Sequence, residues 1–200
     1  MIRKKIILLF LLSFYWTYPK LVDIEKINRT IVLDIRYATT NNFTKTKLYS
    51  KAKCYLEHEV ALAIDAVQKE LEAMGLGLKI WDGYRPHSIQ YKLWEIVPDR
   101  RYVGRPEKGS KHNTGCAVDL TIVRSDGTKL DMGTDFDNFT ERAWPSCTNL
   151  SKKVQHNRRL LKTIMEKHGF FGIPTEWWHF NWYDWQKYKT IKNIQFEELE

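Results

Sequence analysis

From Leu56 to Met74 the apolar residues Leu56, Val60, Ala63, Val67, Leu71 and Met74 recur every three or four positions or their multiples. That spacing lines them along one helical face, and Gly75 supplies a stop. A second helix is expected from about His87 to Val97, ended by Pro98, because proline breaks the ladder and restrains the residue before it. A third is expected from about Ser151 to His168; it carries Val154, Leu161, Ile164 and Met165 and stops at Gly169. Between the helices the period changes to two. In Ala117 to Val123, Val118, Leu120 and Ile122 point one way, Asp119 and Thr121 the other. Ile31 to Tyr37 and Leu76 to Trp81 are also strand-like, and the turn dipeptide Asp82-Gly83 closes the second. Ser125-Asp126-Gly127 turns the chain into a returning strand near Lys129 to Met132, and Glu176 to Trp182 is aromatic-rich and extended. Helices and hairpins in this order predict an α+β fold, an antiparallel sheet flanked by helices.

The N-terminus has a different pattern. Arg3, Lys4 and Lys5 precede an apolar run, Ile6 to Phe14, broken only by Ser13. The run is short for a membrane span and suits an export signal. Tyr15-Trp16-Thr17-Tyr18 offers no small-residue cleavage site. Residues 1–18 are therefore a signal peptide or an uncleaved anchor that tethers the chain to a membrane. The expected location is exported, in the periplasm. No repeat, low-complexity tract or linker divides residues 19–200, so they are expected to form one domain.

The chain has 200 residues, enough for a real core, with 43% apolar and 28% charged residues, as in ordinary globular proteins. Its formal charge is +8, or +5 without residues 1–18, which hold three cations and no acid. Such an excess favours anionic surfaces. It is not a nucleic-acid signature, because no dense Lys/Arg stripe or binding module accompanies it. Nothing in the pattern fixes an oligomeric state. Export would permit one disulfide among Cys54, Cys116 and Cys147. With no CxxC spacing, Cys116 reads as a small buried residue rather than a ligand.

The chemistry lies in two short motifs. In Ser110-Lys111-His112-Asn113-Thr114-Gly115-Cys116-Ala117-Val118-Asp119, the glycine and the strand-like stretch after it argue against a helix. His112 is placed on a loop that leads into the strand, and Asp119 on that strand's non-core face. A carboxylate among apolar neighbours needs a partner, either a divalent metal or an Arg or Lys. The second motif is Glu176-Trp177-Trp178-His179. An ideal strand would put residues 176 and 179 on opposite faces, so a shared site demands a bend at Trp177-Trp178. Jointly the motifs offer two imidazoles and a carboxylate to one metal, plus a spare carboxylate. Those are the parts of a zinc hydrolase with an open position for water and a general base. Arg85, in Asp82-Gly83-Tyr84-Arg85-Pro86, follows a tight turn; it is an oxyanion stabiliser or a structural ion-pair partner. Several of the eight tryptophans sit near these motifs, which predicts a partly aromatic site wall.

In these motifs the chain resembles the zinc D-alanyl-D-alanine dipeptidase family, relatives of the vancomycin-resistance D,D-dipeptidase. That family shares its metal site with D-Ala-D-Ala carboxypeptidases and the hedgehog signalling domain. The resemblance runs from Ile31 to Trp182. It includes Asp34-Ile35-Arg36-Tyr37-Ala38-Thr39, Asn42-Phe43, Met132-Gly133-Thr134-Asp135-Phe136-Asp137 and Asn157-Arg158-Arg159-Leu160-Leu161. It implies a hedgehog/D-Ala-D-Ala metallopeptidase-like fold. It implies one zinc ion per chain held by His112, Asp119 and His179, with Glu176 as catalytic base and Arg85 stabilising the transition state. Tyr37, Ser110 and Asp137 match residues lining the dipeptide pocket, where Asp137 would hold the substrate ammonium. The implied reaction is hydrolysis of D-Ala-D-Ala to free D-alanine, in peptidoglycan turnover or glycopeptide resistance. The alternatives are a D,D-carboxypeptidase on stem peptides and a non-catalytic zinc-containing binding module; the presence of both Glu176 and Arg85 argues against the latter. The chain departs from the cytoplasmic resistance-type enzyme in its apparent export signal, which favours wall turnover. It departs again between Asp137 and Ser151, at the pocket rim.

Overall fold

The computed structural model describes residues 20–192 and 194–199. Residues 1–18, read above as signal or anchor, lie outside the described residues. The chain begins with β1 (Leu21–Asp23), α1 (Ile24–Ile27) and β2 (Val32–Leu33), followed by β3 (Tyr55–Glu57), α2 (His58–Glu72) and β4 (Leu76–Asp82). It continues through α3 (His87–Ile96), β5 (Ala117–Arg124), α4 (Lys152–Lys167), β6 (Phe170–Ile173) and β7 (Glu176–Trp182). The three long helices fall where the periodicity puts them, though the first two residues of the expected first helix, Leu56 and Glu57, belong to β3. Ser151 caps α4 by accepting a hydrogen bond from the Val154 amide. Among the described residues no helix is long and apolar enough to cross a membrane.

The main sheet runs β2-β4-β5-β7-β6, and β1 pairs separately with β3. Its pairs are antiparallel except for β2 and β4, which are parallel. The sheet is thus antiparallel, as the sequence led us to expect, apart from this one parallel pair at its edge. The connection from β2 to β4 passes through α2, and such a crossover brings the next strand back parallel. The core fills one side of the sheet: Val118, Leu120 and Ile122 of β5 are buried with Val60, Ile64, Val67 and Leu71 of α2 and with Leu161, Ile164 and Met165 of α4. Full burial of one such side chain contributes roughly 1.5–3 kcal/mol.

Two expected strands are shorter than their patterns. The Ile31 to Tyr37 strand keeps its ladder only at Val32–Leu33 and then tightens into a turn at Arg36–Ala38. Arg36 turns inward there, donating to the Asp34 carboxylate at 3.0 Å, and this local bond competes with the ladder. The strand expected near Lys129 to Met132 shrinks to one bridge, Val123 with Lys129, and one hydrogen bond from the Leu130 amide to the Ile122 carbonyl. Beyond it Asp131 accepts from the Gly133 amide, and Gly133 takes a left-handed conformation (φ 81) that ends the strand.

Candidate active site

The side of β5 away from the helical core is also buried, and it carries the chemistry. Asp119 of β5 is paired directly with His179 of β7, so their side chains share that face. His112 reaches them from a short turn, Lys111–Thr114, on the segment leading into β5. The turn is fixed by its own side chains. Ser110 Oγ accepts from the His112 amide at 3.3 Å, and the Asn113 side-chain oxygen accepts from the Ser110 amide at 2.6 Å. It is also fastened to the chain after β4: the Arg85 amide donates to the His112 carbonyl at 3.0 Å, and Asn113 Nδ2 donates to the Arg85 carbonyl at 2.8 Å.

His112 Nε2, His179 Nδ1 and an Asp119 carboxylate oxygen converge. Nε2 and Nδ1 are 3.2 Å apart, Asp119 lies 2.9 Å from His179 Nδ1, and its other oxygen lies 3.4 Å from His112 Nε2. The outer nitrogens are committed elsewhere. His112 Nδ1 donates to the Gly83 carbonyl at 2.7 Å, and His179 Nε2 donates to the Asn181 amide oxygen at 3.0 Å. Each ring therefore turns a lone pair inward, and two lone pairs beside a carboxylate need a cation between them. The separations match the edges of a tetrahedron with arms of roughly 2.0–2.1 Å, the geometry of a zinc site, and the two acceptors are the kind that orient metal-bound histidines. These residues fit a divalent metal.

Glu176 joins this cluster through the bend that the sequence demands. Between the pairs Gly172–Phe180 and Ile173–Glu176, β6 advances one residue while β7 retreats four. The resulting bulge over Trp177 and Trp178 brings the Glu176 carboxylate to 4.0 Å from His179 Nδ1. Burial, then the Asp119 and Asp137 charges, push the Glu176 carboxyl well above its ordinary range, while Arg85 pulls the other way. A cavity of about 200 Å³ opens onto the cluster and is lined by His112, Asp119, His179, Glu176, Arg85 and Trp178.

A family described as D-ala-D-ala dipeptidase matches residues 18–197. The chain belongs to this family. It is 38% identical over 161 residues to the D-alanyl-D-alanine dipeptidase of Escherichia coli, covering 80% of this chain and 83% of that one. Against the Enterococcus faecalis D-alanyl-D-alanine dipeptidase it is 33% identical over 172 residues, covering 76% and 85%. Among solved structures it aligns with the vancomycin-resistance D,D-dipeptidase VanXYg, in complex with a D-Ala-D-Ala phosphinate analog. That alignment has 18% identity and a TM-score of 0.42, over 83% of this chain and 67% of that one.

The other residues that resemblance to the family singled out, Tyr37, Ser110 and Asp137, line the same cavity. The Tyr37 hydroxyl donates to both Asp137 oxygens at 3.3 Å, and Asp137 takes a left-handed backbone (φ 57) that aspartate tolerates better than most residues. Burial, then the neighbouring Asp119 charge, raises the Asp137 carboxyl well above its usual range. Of the two roles left open by the sequence, Arg85 shows the ion-pair one and keeps donors to spare. Its Nε and Nη2 donate to Asp82 at 3.1 and 2.7 Å and its Nη1 to Gln90 at 3.1 Å, leaving one N–H on each terminal nitrogen for a ligand. Burial works against this cation, but the Asp82 charge more than offsets it.

Sequence reasoning missed Asp82, Gln90 and Asn181. Asp82 read as half of a turn, yet it is fully buried and also accepts from the Tyr49 hydroxyl at 2.7 Å. The one available signal was period two along β7, which puts Asn181 on the face of His179. Cys116 is a buried residue outside the cluster, its thiol pushed up to about 12 by burial. The three cysteines are unbonded.

Proposed function

We propose that this chain is a zinc-dependent dipeptidase that hydrolyses D-Ala-D-Ala to free D-alanine in cell-wall turnover. The observation that carries the reading is the convergence of His112, Asp119, His179, Glu176 and Arg85 on one small cavity. The cavity's charge supports it. Asp119, Asp137 and Glu176 line the cavity together with Arg85, Arg100, Arg101 and Lys111, so it offers carboxylates to a divalent metal and a substrate ammonium and cations to a substrate carboxylate. One zinc ion held by His112, Asp119 and His179 would polarise the scissile carbonyl and acidify water. Glu176, its proton affinity raised by burial, takes the proton from the attacking water and returns it to the leaving amine. Arg85 offers its two spare N–H groups to the developing oxyanion. Asp137, steadied by Tyr37, holds the substrate ammonium, and Ser110 lines the pocket beside it.

The test is release of D-alanine from D-Ala-D-Ala by the purified, zinc-loaded chain. Glu176→Ala is expected to lower kcat by about 10²–10⁴-fold; release no greater than in that variant overturns the activity. Metal analysis is expected to find one zinc per chain, removed together with activity by a chelator. N-acetyl-D-Ala-D-Ala, which lacks the ammonium, is expected to be a poor substrate; equal turnover would favour a D,D-carboxypeptidase instead. We also infer that residues 1–18 export the chain to the periplasm or anchor it to the membrane facing that compartment. Cell fractionation that finds it only in the cytosol overturns this.

A further inference from the structure

The segment Asn157-Arg158-Arg159-Leu160-Leu161 takes no part in the chemistry above, yet two of its residues line a second cavity of about 500 Å³. Ile173 and Glu176 border both cavities, and beyond them the linings part: Trp178, His179 and Asn181 face the first, Trp177 and Phe180 the second. The second cavity has an apolar side from β6 and β7, made of Phe171, Ile173, Trp177 and Phe180, and a charged side from α4, made of Arg158, Arg159, Lys162 and Glu166, with cations in excess.

The charges on that side are not balanced. Lys162 pairs with Glu166 at 3.6 Å. Arg159 is exposed and has no carboxylate partner among the described residues. Arg158 is only 8% exposed, and its hydrogen bonds go to backbone carbonyls: Met132 at 2.8 Å, Trp144 at 3.1 Å and Arg142 at 3.0 Å. These bonds use three of its five N–H groups. It also lies over the Trp177 ring at 5.6 Å. Burial pulls its pKa down to about 10, the cost of a desolvated cation with no counter-ion. An anion entering this cavity would supply the missing charge, and guanidinium groups fit a carboxylate best.

We propose that this second cavity binds a small amphipathic carboxylate, its apolar body against Trp177 and Phe180 and its carboxylate between Arg158 and Arg159. The structure carries a reporter for it. Cys147 lines the cavity and is half-buried, whereas Cys54 and Cys116 are at most 1% exposed. In the folded, zinc-loaded chain, iodoacetamide is therefore expected to alkylate Cys147 first. The probe is 3-phenylpropanoate, with 3-phenylpropanamide as its uncharged twin.

The carboxylate is expected to slow alkylation of Cys147 saturably, and the amide to leave it unchanged. Arg159→Gln, at an exposed position of α4, is expected to raise the protecting concentration by about tenfold. D-Ala-D-Ala is expected neither to protect Cys147 nor to reverse the protection. Four results would each overturn the proposal: no protection by the carboxylate, equal protection by the amide, an unchanged midpoint in Arg159→Gln, or reversal by D-Ala-D-Ala. The comparison of acid with amide uses the unaltered chain, so it does not depend on the variant.

Discussion

Asn181 decides which nitrogen of His179 faces the ligand cluster. Its amide oxygen accepts from Nε2 at 3.0 Å, which leaves the lone pair on Nδ1, beside Asp119. Asn181→Ala removes that acceptor and frees the ring to take the other tautomer. Zinc affinity is then expected to fall by about 10–100-fold, the usual cost of losing such an orienting partner. Competition against a chelator measures it, and an unchanged affinity would show that Asn181 does not orient the ring. Arg85 makes a similar demand on shape. Asp82 and Gln90 occupy three of its N–H groups while two stay free, and lysine cannot reproduce that fork. Arg85→Lys is expected to lower kcat/KM by about 10²–10³-fold, and activity within a few-fold of the parent would remove Arg85 from the oxyanion role. The convergence of His112, Asp119, His179 and Glu176 was legible in the sequence because a metal site calls for those residue types together. Asp82, Gln90 and Asn181 were not, because each acts only through a contact that folding creates.

At the scale of elements, the turn carrying His112 rests on β1 and β3. Gly115 takes a left-handed conformation (φ 75), and a Cβ there would lie 2.5 Å from the Leu21 side chain and 3.1 Å from the Glu57 amide nitrogen. Gly115→Ala is therefore expected to destabilise the fold by about 2–3 kcal/mol in denaturant unfolding, through backbone strain and overpacking together. Parental stability would mean that the turn can shift at no cost. Glu57 adds a pH dependence. One carboxylate oxygen accepts from the Lys20 amide at 2.9 Å and the other has no partner. Burial raises this carboxyl from 4.5 to about 7. The folded chain thus holds a proton that the unfolded chain releases, so the contribution of Glu57 is complete below pH 4.5 and is lost as pH rises through about 7. Glu57→Gln is expected to flatten that fall across the same window in melting curves; an identical slope in parent and variant would refute the assignment. Local pattern revealed α2, α3, α4 and β5 because their periods are written along the chain. The parallel pairing of β2 with β4 was hidden because its partners lie far apart in sequence. The β7 bulge was legible only as a requirement, set by chemistry rather than by propensity.

At the scale of the whole molecule, three distant segments meet in the wall of the candidate active-site cavity. The Tyr37 ring contacts Phe43 at 6.3 Å, Phe43 contacts Phe139 at 5.1 Å, and Phe139 contacts Tyr102 at 4.9 Å. Phe139 belongs to the stretch between Asp137 and Ser151 and lines the cavity with Tyr37, Phe43 and Tyr102. The cavity volume of about 200 Å³ is below the roughly 300–1,000 Å³ of pockets for drug-sized ligands, and it suits a dipeptide. On the proposed function two barriers would reject longer peptides: Asp137 would require an ammonium close by, and the aromatic residues would crowd a longer substrate. Phe139→Ala removes the second barrier and leaves the first. Its kcat/KM for D-Ala-D-Ala-D-Ala relative to D-Ala-D-Ala is expected to rise by about tenfold, while N-acetyl-D-Ala-D-Ala, which fails at Asp137, gains less. Steady-state kinetics on the three substrates separate the barriers. A tripeptide-to-dipeptide ratio unchanged in Phe139→Ala would mean that the aromatic chain does not set length selectivity, and that the Asp137 carboxylate alone excludes longer peptides.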